Sequence, residues 1–236
     1  MLSILSDAQK KSSASLSLLS KFAHYRRKYG ILHAVSSYVG RYNMPVWKLI
    51  GPVVTHTYLR QWLANAECRI LNLGGGSNCI EGCLTVDIDP RADAYVDITK
   101  KLPFDDSSID LIFCEEVIEH VDLQLGRNLL RECWRVLKPA GILRITTPNL
   151  DWFASSVLNS TAACKKINEI FYNHGHCYLY TQQALQFYCY EVGFINLINS
   201  TYRDPESSLG YLDSHADRFN HSPEISQYVE VQKPGV

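Results

Sequence analysis

The chain has 236 residues, of which 46% are hydrophobic, and a formal net charge of −1. This composition is typical of a globular protein and excludes a chain that is disordered throughout. No apolar run reaches the roughly 18 residues of a membrane-spanning helix, no secretory signal is evident, and the cysteines show no regular framework, so we expect a cytoplasmic protein with free thiols.

Charge is distributed unevenly along the sequence. Nine lysines or arginines and a single acid, Asp7, precede Glu67. Helical patterns in residues 1–66, interrupted by glycine and proline at 40–45 and 51–52, predict a basic helical N-terminal region. Such a region could orient an anionic acceptor or make peripheral contact with a membrane, or it could be an ordinary solvated helical face.

From residue 67 onwards, short apolar strands alternate with helical segments. The strands are predicted at 69–73, 84–88, 94–98, 109–114, 142–148, 194–202 and 227–233, and the clearest helices at 123–137 and 182–192. This alternation predicts an α/β sandwich with a mainly parallel sheet over residues 67–236. The polar segment 203–225 is a candidate lid within that domain.

Three glycines follow the first predicted strand, in the stretch LNLGGGSN. Ligands of parallel sheets bind beyond the carboxyl ends of the strands. Gly74, Gly75 and Gly76 can therefore offer successive backbone N–H groups to a ligand. A glycine turn that is needed only for packing is the alternative interpretation.

Acids follow the next two strands in the order that a nucleoside site requires. Asp87 ends the second strand, where a carboxylate can accept hydrogen bonds from both hydroxyls of a ribose. Asp97 follows the third strand and could accept a hydrogen bond from an adenine amino group. Ile88 and Ile98 would then lie on either side of the adenine ring.

The glycine spacing argues against a dinucleotide. A G-x-G-x-x-G turn that opens a helix is absent, and only the stretch from Gly74 to Cys83 separates the first two strands. An NAD-dependent oxidoreductase or epimerase is therefore the weaker alternative. A non-catalytic domain that binds a nucleoside, or nothing, and acts through partners is a third interpretation.

Four stretches, taken in order, resemble the class I S-adenosylmethionine-dependent methyltransferases of the type 11-like group: LNLGGGSN, TVDIDP, KKLPFDDSSIDLIFCEEVIEHV and LLRECWRVLKPAGILRITTPN. The resemblance covers about residues 68–200. The short first crossover is similar to a bacterial branch associated with cell-surface polysaccharides. The resemblance implies a Rossmann-like three-layer sandwich of about seven strands, the last of them antiparallel, and S-adenosylmethionine as cofactor.

The same resemblance implies a role for each part of the cofactor site. Gly74 and Gly76 would contact the methionine part of the cofactor, and Asp87 would bind the ribose. Asp97 and Ile98 would contact the adenine.

Two more positions belong to the predicted cofactor site. Cys114, after the fourth strand, would lie beside the methionine. Asn72 stands where the family often has an acid that helps to bind the methionine ammonium group. This departure from the family pattern is one reason to keep a non-catalytic interpretation open.

Methyl transfer from a sulfonium is an in-line displacement, so the protein supplies alignment and a base for the proton of the acceptor. His120, in EEVIEH, and His176, in NHGHCYLYT, are the candidate bases. For His120 the alternative is a hydrogen bond to the backbone that fixes the loop.

The EEVIEH run also suggests a metal site. On a helix, Glu116, Glu119 and His120 would be spaced i, i+3 and i+4 and would share one face. Two carboxylates and an imidazole could hold a divalent cation. The spacing is similar to a metal-binding feature of some ubiquinone-pathway O-methyltransferases, although many relatives carry Glu-His here without a metal.

The sequence therefore predicts methyl transfer to an oxygen, or less favourably a nitrogen, of a small molecule or a saccharide precursor of the cell surface. The basic N-terminal region makes an anionic acceptor one possibility. Nucleic acid is not favoured, because the core is acidic and no Asn-Pro-Pro-Tyr-like motif follows the fourth strand.

Overall fold

The computed structural model describes residues 23, 26–157, 163–219 and 222–235. Residues 1–22, 24 and 25 of the predicted helical N-terminal region lie outside this part of the chain, as do residues 220 and 221 of the candidate lid. Among the helices of the described ranges, none combines the length and the apolar character needed to cross a bilayer.

Strands and helices alternate along the chain, as predicted. The strands are β1 (Ile70–Leu73), β2 (Cys83–Asp87), β3 (Ala94–Tyr95), β4 (Ile109–Glu115), β5 (Leu137–Pro148), β6 (Ile195–Ser200) and β7 (Ser226–Gln232). The helices are α1 (Ile31–Tyr42), α2 (Met44–Asn65), α3 (Leu123–Val136), α4 (Leu150–Val157), α5 (Ala163–His174), α6 (Gln182–Val192) and α7 (His215–Phe219). Short 3₁₀ turns lie at Ile118–His120, Gly210–Leu212 and Pro223–Ile225.

The strands form one sheet in the order β3–β2–β1–β4–β5–β7–β6. The pairs from β3 to β5 are parallel, and β7 is antiparallel to both of its neighbours. This arrangement confirms the predicted Rossmann-like sheet with an antiparallel last strand. The strand order reverses at β1, and in such sheets the ligand crevice forms beyond the carboxyl ends of the strands at that point.

One face of the sheet carries the main hydrophobic core. Because alternate residues of a strand share a face, Leu71, Leu84, Ile112 and Val229 all lie in this core together with buried side chains of α2, α3 and α6. The inward face of α3 has helical spacing and consists of Leu129, Leu130, Cys133 and Val136. Burial of these faces holds the helices to the sheet.

Local signals in the sequence set the ends of the helices. The carboxylate of Asp122 accepts a hydrogen bond from the N–H of Leu125 at the start of α3. The hydroxyl of Thr181 caps α6 in the same way, and Gly193, with a φ of 109°, ends it. The predicted start and end of α6 are therefore confirmed.

The predicted interruption at Gly51-Pro52 is wrong, because α2 continues through both residues. A Cβ atom on Gly51 would lie 2.9 Å from Cδ2 of Tyr95 and 3.1 Å from Cε2 of Trp47. The glycine therefore lets the helix approach the edge strand β3 closely. One turn later, the hydroxyl of Thr55 donates to the carbonyl of Gly51 and accepts a hydrogen bond from the N–H of Tyr95 in β3 at 3.1 Å.

Two strand boundaries also differ from the prediction. β3 has only two residues, because the chain turns at Asp97, whose carboxylate accepts hydrogen bonds from Thr99. The helix before KPAG ends at Val136, close to its predicted end, but β5 begins at Leu137, five residues before the predicted start at 142, and runs through KPAG. Ala140 adopts a positive φ of 63°, so the segment forms an irregularity within the strand.

Residues 201–219 cover part of the opposite face of the sheet. Leu209 and Leu212 pack there against Phe113 of β4 and Cys83 of β2. The described connection between β1 and β2, residues 74–82, contains no helix. A segment from late in the chain thus covers sheet surface close to this short connection.

A buried ion pair fixes this segment to the sheet. Arg144 of β5 and Asp213 both have fully buried side chains, and Nη2 of the arginine lies 2.6 Å from Oδ2 of the aspartate. Nε donates to Oδ1 at 2.8 Å. The remaining donors reach the hydroxyls of Ser200 and Ser207 and the carbonyl of Thr201. All the N–H groups of the guanidinium are therefore satisfied.

We predict that Asp213→Ala lowers the free energy of unfolding by about 3–5 kcal/mol, because it leaves a buried guanidinium without its carboxylate. Urea denaturation measures this change. The control is Glu191→Gln, which breaks the more exposed ion pair between Arg127 and Glu191 and should cost about 0–1 kcal/mol.

The double variant Arg144→Met, Asp213→Leu removes both charges and should recover much of the lost stability. If Asp213→Ala and Glu191→Gln destabilise the protein equally, the ion pair is not the constraint that we describe.

Candidate functional site

The glycine loop after β1 is held tightly against β2. Gly74 and Gly76 have φ values of 73° and 54°, which glycine adopts without strain. The N–H of Gly74 donates to the carbonyl of Val86 at 2.8 Å. A Cβ atom on Gly75 would lie 2.3 Å from Nδ2 of Asn72. The loop therefore requires glycine for its own geometry, and this leaves its backbone exposed to a ligand.

Asn72 ties the loop to the sheet. Its side chain is buried, and its amide donates to the carbonyl of Asn78 at 2.9 Å and to the hydroxyl of Thr85 at 3.1 Å. The residue also lies in the wall of the cavity beside the loop. Its amide thus has a structural role at the position where the family often has an acid.

Asp87, at the end of β2, faces the loop from the other side. Its carboxylate accepts hydrogen bonds from the N–H groups of Gly76 at 2.9 Å and Asp89 at 2.8 Å. Burial raises the pKa of Asp87, while these two donors oppose the change.

A cavity of about 410 Å³, here cavity A, opens beyond β2 and β4. Its volume is within the range of small-molecule sites. Five predicted cofactor residues line it, namely Gly74, Asp87, Ile88, Asp97 and Ile98. The structure therefore brings together the residues that the sequence assigned to a nucleoside.

A second cavity of about 290 Å³, cavity B, lies on the other side of the loop. Asn72 and all three loop glycines line it, so the predicted methionine contacts other than Cys114 meet here. Arg91, Glu115, Arg218 and Phe219 also contribute to its wall. Cavity B is thus bounded by the loop and by the end of α7.

Glu115 binds α7 beside cavity B. Its carboxylate accepts from the N–H groups of Ser214 at 2.6 Å and His215 at 2.9 Å, and from Nη2 of Arg218 at 2.5 Å. Burial alone would raise the pKa of Glu115, but hydrogen bonds from His215 and Ser214 and the charge of Arg218 lower it to about 2. The carboxylate is therefore ionised at neutral pH and fixes the guanidinium beside the loop.

A third cavity, cavity C, is larger than cavities A and B and has a volume of about 640 Å³. Its apolar wall includes Phe153, Ile170 and Ile225. Its polar wall contains acids, histidines and small polar groups: Glu116, Glu119, His120, Asn173, His174, His176 and Ser226. Such a mixed lining suits a small molecule with both apolar and polar parts.

Glu116 lies where the three cavities meet, since it lines each of them. Its φ of 55° is unusual for a residue with a side chain. Its Oε1 accepts a hydrogen bond from the hydroxyl of Ser226 at 2.9 Å. Burial raises the pKa of Glu116 to about 7, so the carboxyl group can gain or lose a proton near neutral pH.

The helical geometry expected for EEVIEH is wrong. Glu116 is left-handed, and Ile118–His120 forms a 3₁₀ turn, so Glu116 does not share a helix face with Glu119 and His120. Instead, His176 lies close to Glu119 and His120 and forms a cluster with them. One ligand atom from each of Glu119, His120 and His176 lies within 4.8 Å of the others.

The surroundings of this cluster favour neutral side chains. Glu119 is fully buried, its Oε2 accepts from the hydroxyl of Thr147 at 2.8 Å, and burial raises its pKa well above the usual range. Burial also lowers the pKa of His176 to about 4 and that of His120 below its ordinary value. Nδ1 of His120 lies 3.4 Å from the carbonyl of Gly175. The three side chains could hold a divalent cation.

Cys114 is the predicted site residue that the structure does not bring to cavities A, B or C. It lies on the core face of β4, and burial raises its thiol pKa well above the usual range. Glu115 and Glu116, which follow it, form the cavity walls.

Sequence reasoning missed Glu115, Arg218 and Phe219. Two consecutive acids at the end of a buried strand were the available signal, because buried carboxylates need partners. Nothing in the sequence placed Arg218 beside them, since the two positions are far apart in the chain.

Comparisons with known proteins agree with this geometry. Residues 81–145 match the family model described as "Methyltransferase domain". Probable S-adenosylmethionine-dependent methyltransferases of Mycolicibacterium smegmatis and Mycobacterium tuberculosis are each 38% identical over 60 residues. The aligned part is 25% of this chain and 23% or 21% of those proteins, so the chain spans less than a quarter of their length.

Solved structures show the same fold at low identity. A methyltransferase from Archaeoglobus fulgidus is 16% identical with a TM-score of 0.50, covering 77% of this chain and 93% of its own. One from Mesorhizobium loti is 15% identical with a TM-score of 0.50, covering 75% and 96%. The solved structures share the Rossmann-like fold, and the family match over residues 81–145 supports the resemblance of the ordered motifs to class I S-adenosylmethionine-dependent methyltransferases.

Proposed function

We propose that the protein binds S-adenosylmethionine and transfers its methyl group to an oxygen of a small molecule. The observation that carries this proposal is the meeting of three cavities at Glu116. Adenosine occupies cavity A, the methionine part occupies cavity B, and the acceptor enters cavity C. The sulfonium methyl group then lies at the junction and faces the acceptor, as an in-line displacement requires.

Cavity A suits adenosine by its chemistry. The carboxylate of Asp87 can accept hydrogen bonds from the ribose hydroxyls. Ile88 and Ile98 provide apolar contacts for the adenine, and Asp97 provides an acceptor for its amino group. NAD fits less well, because the β1–β2 connection in the described chain has no helix whose N-terminus could bind a pyrophosphate.

Cavity B suits the amino-acid end of the cofactor. The guanidinium of Arg218 can pair with the methionine carboxylate. The acids Glu115 and Glu116 offer negative charge to the ammonium group, in place of the acid that the family often has at Asn72. Backbone groups of the glycine loop complete the polar contacts.

An oxygen acceptor is favoured because a hydroxyl must lose its proton during the transfer, and cavity C offers bases. Glu116 is the base that we propose, since a pKa near the working pH is best for proton transfer. His120 and His176 are the alternative bases. A saccharide or anionic acceptor remains a prediction from the sequence, as does the absence of nucleic acid among the partners.

We predict that Asp87→Asn weakens S-adenosylmethionine binding about tenfold or more, since hydrogen bonds to a charged group contribute roughly 1.5–3 kcal/mol. Titration calorimetry with S-adenosylmethionine, S-adenosylhomocysteine and NAD measures this. Asp105→Asn is the control, because Asp105 is exposed and lines none of cavities A, B and C. Equal affinity in both variants, or tighter binding of NAD, would refute the assignment of cavity A.

We predict that methyl transfer falls as the pH drops below about 7, because protonation of Glu116 removes the base. Glu116→Gln should lower the rate by about 10²-fold or more and abolish this pH limb. The assay follows labelled methyl groups from S-adenosylmethionine to a panel of small hydroxylated compounds, sugars included.

His120→Gln is the matched variant, since His120 also faces cavities A and C. This variant should still show the fall in methyl-transfer rate below about pH 7. A limb below pH 6.5 that disappears in His120→Gln and persists in Glu116→Gln would assign the base to His120 instead, because burial lowers the pKa of this histidine.

We predict that EDTA leaves methyl transfer unchanged. Burial raises the pKa of Glu119 and thereby favours its protonated form, so cation binding at the cluster competes with that proton. Loss of activity that Mn²⁺ restores in the unmodified protein, but not in His176→Ala, would show that the cluster holds a divalent cation.

A further inference from the structure

The outward side of α1 is apolar. Six of its large side chains are exposed and lie within an arc of about 120° around the helix: Ile31, Leu32, Val35, Tyr38, Val39 and Tyr42. The buried residues of α1, such as Ala34 and Ser37, lie on the opposite side. The helix therefore has an exposed apolar face in addition to the face that packs against the rest of the protein.

α2 also has exposed apolar side chains. Val46, Leu49 and Val53 follow one another at spacings of three and four residues and are exposed, Leu49 by 77% and Val53 by 76%. Since such spacing places residues on one face of a helix, they form a second apolar stripe. We call these stripes of α1 and α2 together the apolar outer face.

The charged side chains of α1 and α2 have one sign. The sequence contains no acid between Asp7 and Glu67. Lys48 and Arg60 of α2 are exposed, as are Arg26 and Arg27 just before α1. Apolar side chains beside basic groups, on helices that lie at a surface, are the combination that binds the interface of anionic membranes.

We propose that the apolar outer face docks on the surface of an anionic lipid bilayer. A second copy of the chain fits less well, because a two-fold interface brings the same patch together from both subunits. The basic side chain of Arg60, seven residues after Val53 and so on the stripe of α2, would then face its own counterpart. Anionic lipid instead offers apolar chains for the stripes and phosphates for the basic side chains.

Docking would place the membrane close to the cofactor site. The indole N–H of Trp47, on the buried side of α2, donates to the carbonyl of Ile88 at 2.9 Å. Ile88 lines cavity A. The inner side of these helices thus contacts the edge of the sheet and the wall of cavity A. The apolar outer face lies on their exposed side. This inference stands on the helices alone and does not require methyl transfer.

The test is co-sedimentation of the full chain with vesicles. One preparation contains phosphatidylcholine alone, and the other contains equimolar phosphatidylcholine and phosphatidylglycerol. We expect binding to the mixed vesicles, and binding weaker by about tenfold or more to the neutral ones or at high salt. The double variant Leu32→Glu, Leu49→Glu should lose binding to the mixed vesicles by a similar factor.

The matched control is Phe187→Glu, which places the same charge at a side chain that is 60% exposed on α6 and should bind like the unmodified protein. Circular dichroism checks folding, and Leu32→Gln is the milder variant if the double variant does not fold. Absence of binding to mixed vesicles, or equal binding by all variants, would overturn the proposal. So would a dimer in sedimentation velocity that the double variant dissociates.

Discussion

The ion pair between Arg144 and Asp213 is the constraint on which the site depends. A buried guanidinium is costly unless each of its donors has a partner, and here Ser200 at the end of β6 and the segment that follows it, including Asp213, supply those partners. The segment is thereby fixed on the sheet. Residues that immediately follow Asp213 then lie beside the end of β4, where they bind Glu115.

Two neighbouring acids acquire opposite properties from this arrangement. Glu115 accepts hydrogen bonds from the fixed segment, and its pKa is low. Glu116 accepts a hydrogen bond from the hydroxyl of Ser226 at its Oε1, but burial is the larger effect and raises its pKa. Adjacent carboxyl groups whose pKa values are separated by their surroundings can serve as a fixed charge and as a proton acceptor.

The sequence predicted the parts of the site that depend on local order. Gly74, Asp87 and Asp97 each follow a strand closely, and the parallel sheet brings strand ends together, so alternation and motif order were enough. Contacts between distant segments were not predictable. Nothing local pairs His176 with Glu119, and the requirement for glycine at position 51 depends in part on Tyr95, which is distant in the sequence and close in space.

The placement of residues 201–219 has a consequence for how the protein forms during translation. Ser214 and Glu115 are 99 positions apart, and Ser214 and Asn78 are 136 apart. Contacts of such separation form late and slow folding. A nascent chain that already contains the glycine loop and the ends of β2 and β4 must therefore wait for residues 201–219 to leave the ribosome before the pocket can close.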